Sequence, residues 1–237
     1  MAKILGVKID ELTFAEVMAK ITLFLDEKKF HQIVTVNPEF VLTVQKDSEF
    51  KEVLNQADLN IPDGVGLKLG AWLLGQKIGE RLTGVDLTWE LAKLANQKGY
   101  SIYFLGATTG VAEKASKKIK LLYPNLKIAG CYAGTPDEPG LIEKINNTNA
   151  DILLVAFGAP KQDKFIFNNK SNIKIKVAMG VGGTFDYIAG VVPRAPKFLR
   201  SLGLEWLYRL IRQPKRIGRI FNAVIVFPIK VFISQGH

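Results

Sequence analysis

Short apolar runs with strand character alternate with helical patterns along most of this chain, joined by brief polar links. QIVTVN stops at Pro38, and LNIPDG runs into a turn; YSIYFLG (100–106), LKIAGCY, DILLVAFG (151–158) and IKIKVAMGVGG follow. Between them the spacing predicts helices over Leu12–Phe30, Phe40–Ala57, Val65–Leu74, Leu87–Lys98, Val111–Leu122 and Pro139–Asn146, with a short one in KQDKFIFNN. In the first of these, Phe14, Val17, Met18, Ile21 and Leu25 share a face, and Thr13 with Glu16 forms a capping box. Such alternation predicts an α/β fold, a mostly parallel sheet with helices on both faces.

Composition narrows the class. With 48% hydrophobic and 23% charged residues, the chain is not a disordered one. The lone Cys131 excludes a disulfide framework and suits a reducing compartment. MAKILGVKID lacks the apolar stretch of a signal peptide. His31 and His237 are the only histidines, and no D-x-D, H-E-x-x-H, C-x-x-C, G-x-S-x-G or P-loop pattern occurs. Neither a metal site nor a cofactor is expected.

In open parallel sheets, ligands bind beyond the carboxyl ends of the strands. Polar and glycine residues collect there: Thr35, Asn37 and Glu39; Asp63 and Gly64; Gly106, Thr108 and Gly110; Gly158 to Gln162; and Gly180 to Asp186, including Gly183 and Thr184. FLGATTG has the form of a nucleotide-binding turn leading into a helix N-terminus, and serves equally as a tight structural turn. It lacks the full G-x-G-x-x-G pattern, which argues against a dinucleotide-dependent oxidoreductase. Asp63 in IPDG reads as a turn aspartate or as a general base, since an unshifted aspartate is ionised at neutral pH.

Charge is unevenly placed. Of the net charge of +10, residues 1–193 carry +2 and residues 194–237 carry +8, with six of the seven arginines in the second segment and Arg81 the exception. AGVVPRAP marks the boundary. Arginine suits phosphate better than lysine does. The tail is also apolar. Leu202, Trp206 and Leu210 share a helical face with Leu199, with Leu207 at its edge; Glu205, Tyr208, Arg209 and Arg212 lie opposite, Glu205 and Arg209 as an i,i+4 pair. Pro214 ends this helix. Ile220–Ile233 is too short to span a bilayer. The expectation is an amphipathic C-terminal appendage lying in the headgroup region, with Trp206, Phe221, Phe227 and Phe232 as anchors. Docking on the protein's own core is the alternative, and packing between subunits leaves a homo-oligomer open. A nucleic-acid binder would also be basic, but the apolar run Ile220–Phe227 argues against one.

TVNPEF, IPDGVGL, ERLTGVDL, YFLGATTGVAEKA, VAFGAPKQ, GVGGTFDYIAG and RAPKFLRSLGLEWLYRLIRQPKRIGR together resemble the WecG/TagA/CpsF family of bacterial glycosyltransferases, in the family's order and over nearly the whole chain. The resemblance implies a Rossmann-like core over residues 1–193, of the GT-E type, completed by the appendage at 194–237. It implies metal-independent, inverting transfer from a UDP-sugar to a polyprenyl-diphosphate-linked sugar, on the inner face of the cytoplasmic membrane. The teichoic-acid branch is the most similar, which implies N-acetylmannosamine as the donor sugar and N-acetylglucosamine on undecaprenyl diphosphate as the acceptor; N-acetylmannosaminuronic acid or a hexose is the alternative donor. By motif, Asp63 is similar to the family's proposed base, Thr35, Asn37, Arg81 and Gln162 to its pocket, and Arg212 and Arg219 to the arginines that would neutralise the departing diphosphate.

Overall fold

The computed structural model describes residues 1–214 and 217–234, without the side chains of Lys197, Ser201 and Arg209. His237 and the Glu205–Arg209 pair therefore lie outside the described residues.

A hairpin not foreseen in the sequence opens the chain: β1 (Ala2–Ile4) and β2 (Val7–Ile9) pair antiparallel. Leu5 and Gly6 both have positive φ (46° and 85°), as the type I′ hairpin turn requires. Helix α1 (Phe14–Asp26) carries the expected Thr13–Glu16 capping box and leads into β3 (His31–Val36). The predicted helix over Phe40–Ala57 is two helices, α2 (Pro38–Thr43) and α3 (Ser48–Gln56). They divide where Asp47 turns out of helical geometry and accepts a hydrogen bond from Phe50 N–H, capping α3.

Then come β4 (Leu59–Pro62), α4 (Val65–Leu73), α5 (Gly84–Lys98), β5 (Ser101–Gly106), α6 (Val111–Leu122), β6 (Lys127–Tyr132), α7 (Leu141–Asn146), β7 (Ile152–Ala156), α8 (Lys161–Asn168), β8 (Val177–Gly180) and α9 (Thr184–Ala189). Strands β3 to β8 form one parallel sheet in the order β4-β3-β8-β7-β5-β6.

Side-chain alternation sends neighbouring residues of each strand to opposite faces. Ile33, Phe104, Leu154 and Met179 pack under α1, α5, α6 and α9. On the other face, Val34 and Val36 meet α2, α3, α4 and the opening hairpin, and Tyr103, Leu105, Leu153 and Val155 meet α7 and α8. Helices thus cover both faces, as the alternation predicts. The chain runs outward from β3 to β4, crosses to β5 and β6, then returns through β7 to β8 beside β3. The order of the strands reverses at this point, which is where a crevice opens.

Beyond residue 193 lie α10 (Lys197–Ser201), α11 (Glu205–Arg212), α12 (Ile217–Phe221), a π turn (Asn222–Val226) and α13 (Phe227–Ile233). The single helix expected from Leu199 is broken at Gly203, which takes φ +74°. Leu202 is consequently exposed. The π turn accommodates Pro228, which has no N–H to give to the preceding turn. Phe227 and Val231 are fully buried against α4 in the cluster that holds Leu67 and Ala71. A Cβ on Gly70 would lie 2.8 Å from the Phe227 ring, so only glycine lets α13 approach this closely. Phe227 is therefore a core residue and not a lipid anchor; Phe221 and Phe232 are exposed. One face of the appendage docks on the core and the other faces outward. No described helix is long and apolar enough to cross a membrane.

Candidate active site

Two adjoining cavities open at the carboxyl end of the sheet. The larger, about 690 Å³, is walled by the ends of β3, β4, β5, β7 and β8 and by the loop after β6. The smaller, about 300 Å³, lies between α4, α11 and α12. Asn37, Asp63, Thr83 and Arg219 line both.

Asp63 reaches this junction because β4 pairs in register with β3 and its backbone N–H continues the ladder to Val36 O at 2.6 Å. Asn37 lies beside it, rigidly held as the cap of α2, its Oδ1 accepting from Phe40 N–H at 3.1 Å. Thr35, 7% exposed, lines the larger cavity. A Cβ on Gly84 would lie 3.5 Å from Thr35 Oγ1 and 3.4 Å from Thr184 Oγ1, so the start of α5 fits between these two hydroxyls. The first turn of this 15-residue helix borders the cavity through Thr83, Gly84 and Val85. Thr83 Oγ1 accepts from Asp86 N–H at 3.2 Å, and the helix dipole at this end favours an anion beside it.

Gln162 is 2% exposed, and its Oε1 accepts from Gly158 N–H at 3.2 Å and Gly182 N–H at 2.9 Å. It braces the loops after β7 and β8 against each other, while its edge lines the larger cavity. A Cβ on Gly180 would lie 2.5 Å from Gln162 Nε2 and 2.6 Å from Asp163 Oδ1, so glycine is required at the end of β8. Asp163 is completely buried behind this brace, against the Gln162 amide. Burial pushes its pKa up to about 7.

Thr108, Gly158, Gly183, Thr184 and Asp186 all line the larger cavity, as the strand-end pattern suggests. Gly106 does not. It takes φ +90°, and a Cβ there would stand 2.8 Å from Phe157 Cδ1, so it permits the close approach of β5 and β7. Arg81 lines only the smaller cavity, and its Nη2 donates to Arg200 O of α10 at 3.1 Å. Arg219 stands at the junction, whereas Arg212 touches neither cavity and leans on Tyr208 on the exposed side of α11. Among the described residues, no three His, Cys, Asp or Glu side chains gather as metal ligands would.

Thr83 lines both cavities and caps α5 together with Asp86; their T-x-x-D spacing in ERLTGVDL is a capping signal. Arg194 grips Asp86 through two hydrogen bonds of 2.8 and 2.9 Å and reaches Thr83 Oγ1 at 3.1 Å. Burial raises the Asp86 carboxyl, but the bonds from Arg194 and Thr83 outweigh it and hold the group below the usual carboxylate range. This clamp fastens the start of the appendage to the start of α5.

A model of the family described as "Glycosyl transferase WecG/TagA/CpsF family" matches residues 2–236. The chain belongs to this family. It is 38% identical over 200 residues to a protein of Bacillus subtilis strain 168, covering 84% of this chain and 78% of that one. It is 33% identical over 232 residues to one of Staphylococcus aureus strain MRSA252, covering 96% and 91%. Both relatives are named N-acetylglucosaminyldiphosphoundecaprenol N-acetyl-beta-D-mannosaminyltransferase. In this member of the WecG/TagA/CpsF family, Asp63, Asn37 and Thr35 come together from strand ends, Gln162 comes from the first turn of α8, and Arg219 joins them from the appendage. Arg81 borders only the second cavity, and Arg212 stands apart.

Proposed function

We propose that this glycosyltransferase moves N-acetylmannosamine from UDP to N-acetylglucosamine held on undecaprenyl diphosphate, forming a β-1,4 bond with inversion, in the assembly of the wall teichoic acid linkage unit. The observation that carries the reading is the meeting of two unlike cavities at Asp63. The larger, with its strand-end glycines and the N-terminus of α5, suits a nucleotide diphosphate. The smaller, walled by Leu69, Trp206, Ile220 and Val224 beside its polar end, suits a sugar carried on a lipid.

In this reading the acceptor 4-hydroxyl gives its proton to the Asp63 carboxylate, and its oxygen bonds to the anomeric carbon. The bond from that carbon to the diphosphate breaks on the opposite side, and both electrons leave with UDP. Arg219 and the α5 N-terminus stabilise the charge that develops on the leaving group. Thr35 and Asn37 orient the donor, Gln162 keeps the glycine loops in place, and Arg81 holds the acceptor side. The protein works peripherally on the inner face of the cytoplasmic membrane. Exposed Val65, Leu69 and Trp72 of α4 and Phe221, Ile229 and Phe232 of the appendage support a lipid-facing surface beside the smaller cavity. Each basic residue near anionic lipid adds about 1 kcal/mol to such binding.

The test is a transfer assay with a lipid-diphosphate-GlcNAc acceptor and a panel of UDP-sugars. Turnover with UDP-N-acetylmannosamine above all others supports the reading. Preference for a mannosaminuronic acid or hexose donor reassigns the sugar, and no transfer from any UDP-sugar overturns it.

A further inference from the structure

Glu39 lies in the first turn of α2, two residues after the Asn37 cap, and its carboxylate meets the appendage. Arg219 Nε donates to Glu39 Oε1 and Arg219 Nη2 to Glu39 Oε2, both at 2.7 Å. This is a side-on, two-bond grip between residues 180 positions apart. Both side chains are partly solvated, at 54% and 34% exposure. A pair of that kind adds little to stability; what the two parallel bonds fix is the plane and direction of the guanidinium.

The bond count shows what remains available. A guanidinium carries five N–H donors. The grip on Glu39 uses the one on Nε and one of the two on Nη2, leaving three. Arg219 is the only arginine among the described residues that lines both cavities. We propose that Glu39 is a positioning residue: it docks Arg219 at the junction and turns the three remaining donors toward the diphosphate of a nucleotide-sugar donor as that group departs. The inference rests on the reading above, in which Arg219 faces the leaving group. Because Glu39 is fixed to the turn that ends β3 and carries Asn37, the arginine is registered to the same element that aligns the donor. Glutamine at this position would offer one acceptor where the guanidinium needs two, and would set its own N–H groups against Nη2.

The test uses the full-length protein, UDP-N-acetylmannosamine and the lipid-diphosphate-GlcNAc acceptor, with E39Q, R219A, R219K and the doubles E39Q/R219A and E39Q/R219K. E39Q and R219A should each lower kcat by roughly 10- to 100-fold, with the donor KM little changed. In the doubles, E39Q should add no further loss, because Glu39 acts only through the fork that alanine and lysine lack. Losses that multiply in the doubles overturn the inference, as does wild-type turnover by E39Q while R219A is slow. Wild-type turnover by R219A instead removes the leaving-group role of Arg219, and the inference falls with it. Equal melting temperatures across the set separate these outcomes from misfolding.

Discussion

The larger cavity is walled by residues that end strands, nearly all between Thr35 and Tyr187, and its shape depends on backbone: glycines at 158, 180, 182 and 183, and the first turn of α5. The smaller one is walled by α4 on one side and by α11, α12 and the π turn on the other, from segments well over a hundred residues apart. The first is held by the sheet itself. The second exists only while the appendage is docked, through the Arg194–Asp86 clamp and the burial of Phe227 and Val231. The difference teaches that a cavity formed by strand ends can be joined to one completed by a docked appendage, and Asp63 sits where the two meet. In the proposed function the first holds the nucleotide, the second the acceptor, and transfer needs both.

Removing residues 197–237 is the most severe way to break that comparison. Transfer should be abolished, while UDP binding to the remaining core, measured by calorimetry, persists; full transfer activity would refute the role of the appendage. Asp63→Asn should leave folding and UDP affinity intact and lower turnover by roughly 10²-fold or more, because the amide cannot take the acceptor proton. Near-normal turnover would return Asp63 to the role of a turn residue. Phe227→Ala attacks only the docking. Emptying a fully buried phenylalanine site costs about 3–5 kcal/mol. Limited proteolysis should then cut the appendage first, with transfer falling more than UDP binding.

The mildest change lies behind the larger cavity. The native state keeps the Asp163 proton up to about pH 7, whereas an unfolded aspartate releases it near 3.9. Between those values the native state binds more protons, so this group makes stability fall as pH rises through the window and level off above it. Asp163→Asn should flatten that part of the melting-temperature profile between pH 5 and about 8. An unchanged slope would show that Asp163 does not titrate there.

Much of the larger cavity could be read in the sequence. Strand-ending Thr35, Asn37, Asp63, Gly158 and Thr184 all arrive at it, because a parallel sheet gathers the carboxyl ends of its strands at one edge. Gly106 misled, since a glycine that permits close packing has the same letter as one that admits a ligand. The hairpin at β1 and β2 escaped notice because three-residue strands carry too little periodicity. Glu39 was visible only as one more polar residue beyond a strand, and nothing near it in the chain announces Arg219.

The sequence by itself determined the α/β architecture, the cap of α1, the polar strand ends and the split between a nearly neutral body and a +8 appendage. Each is a local property, fixed by side-chain period, by turn chemistry or by counting charge. Only the tertiary structure decided that Phe227 turns inward, that Arg212 stands clear while Arg219 reaches the junction, and that Arg81 serves the second cavity alone. Those outcomes depend on how one face of α13 fits the gap above Gly70 and where Gly203 breaks the chain. They are matters of distance between remote segments, which the local pattern of residues does not record.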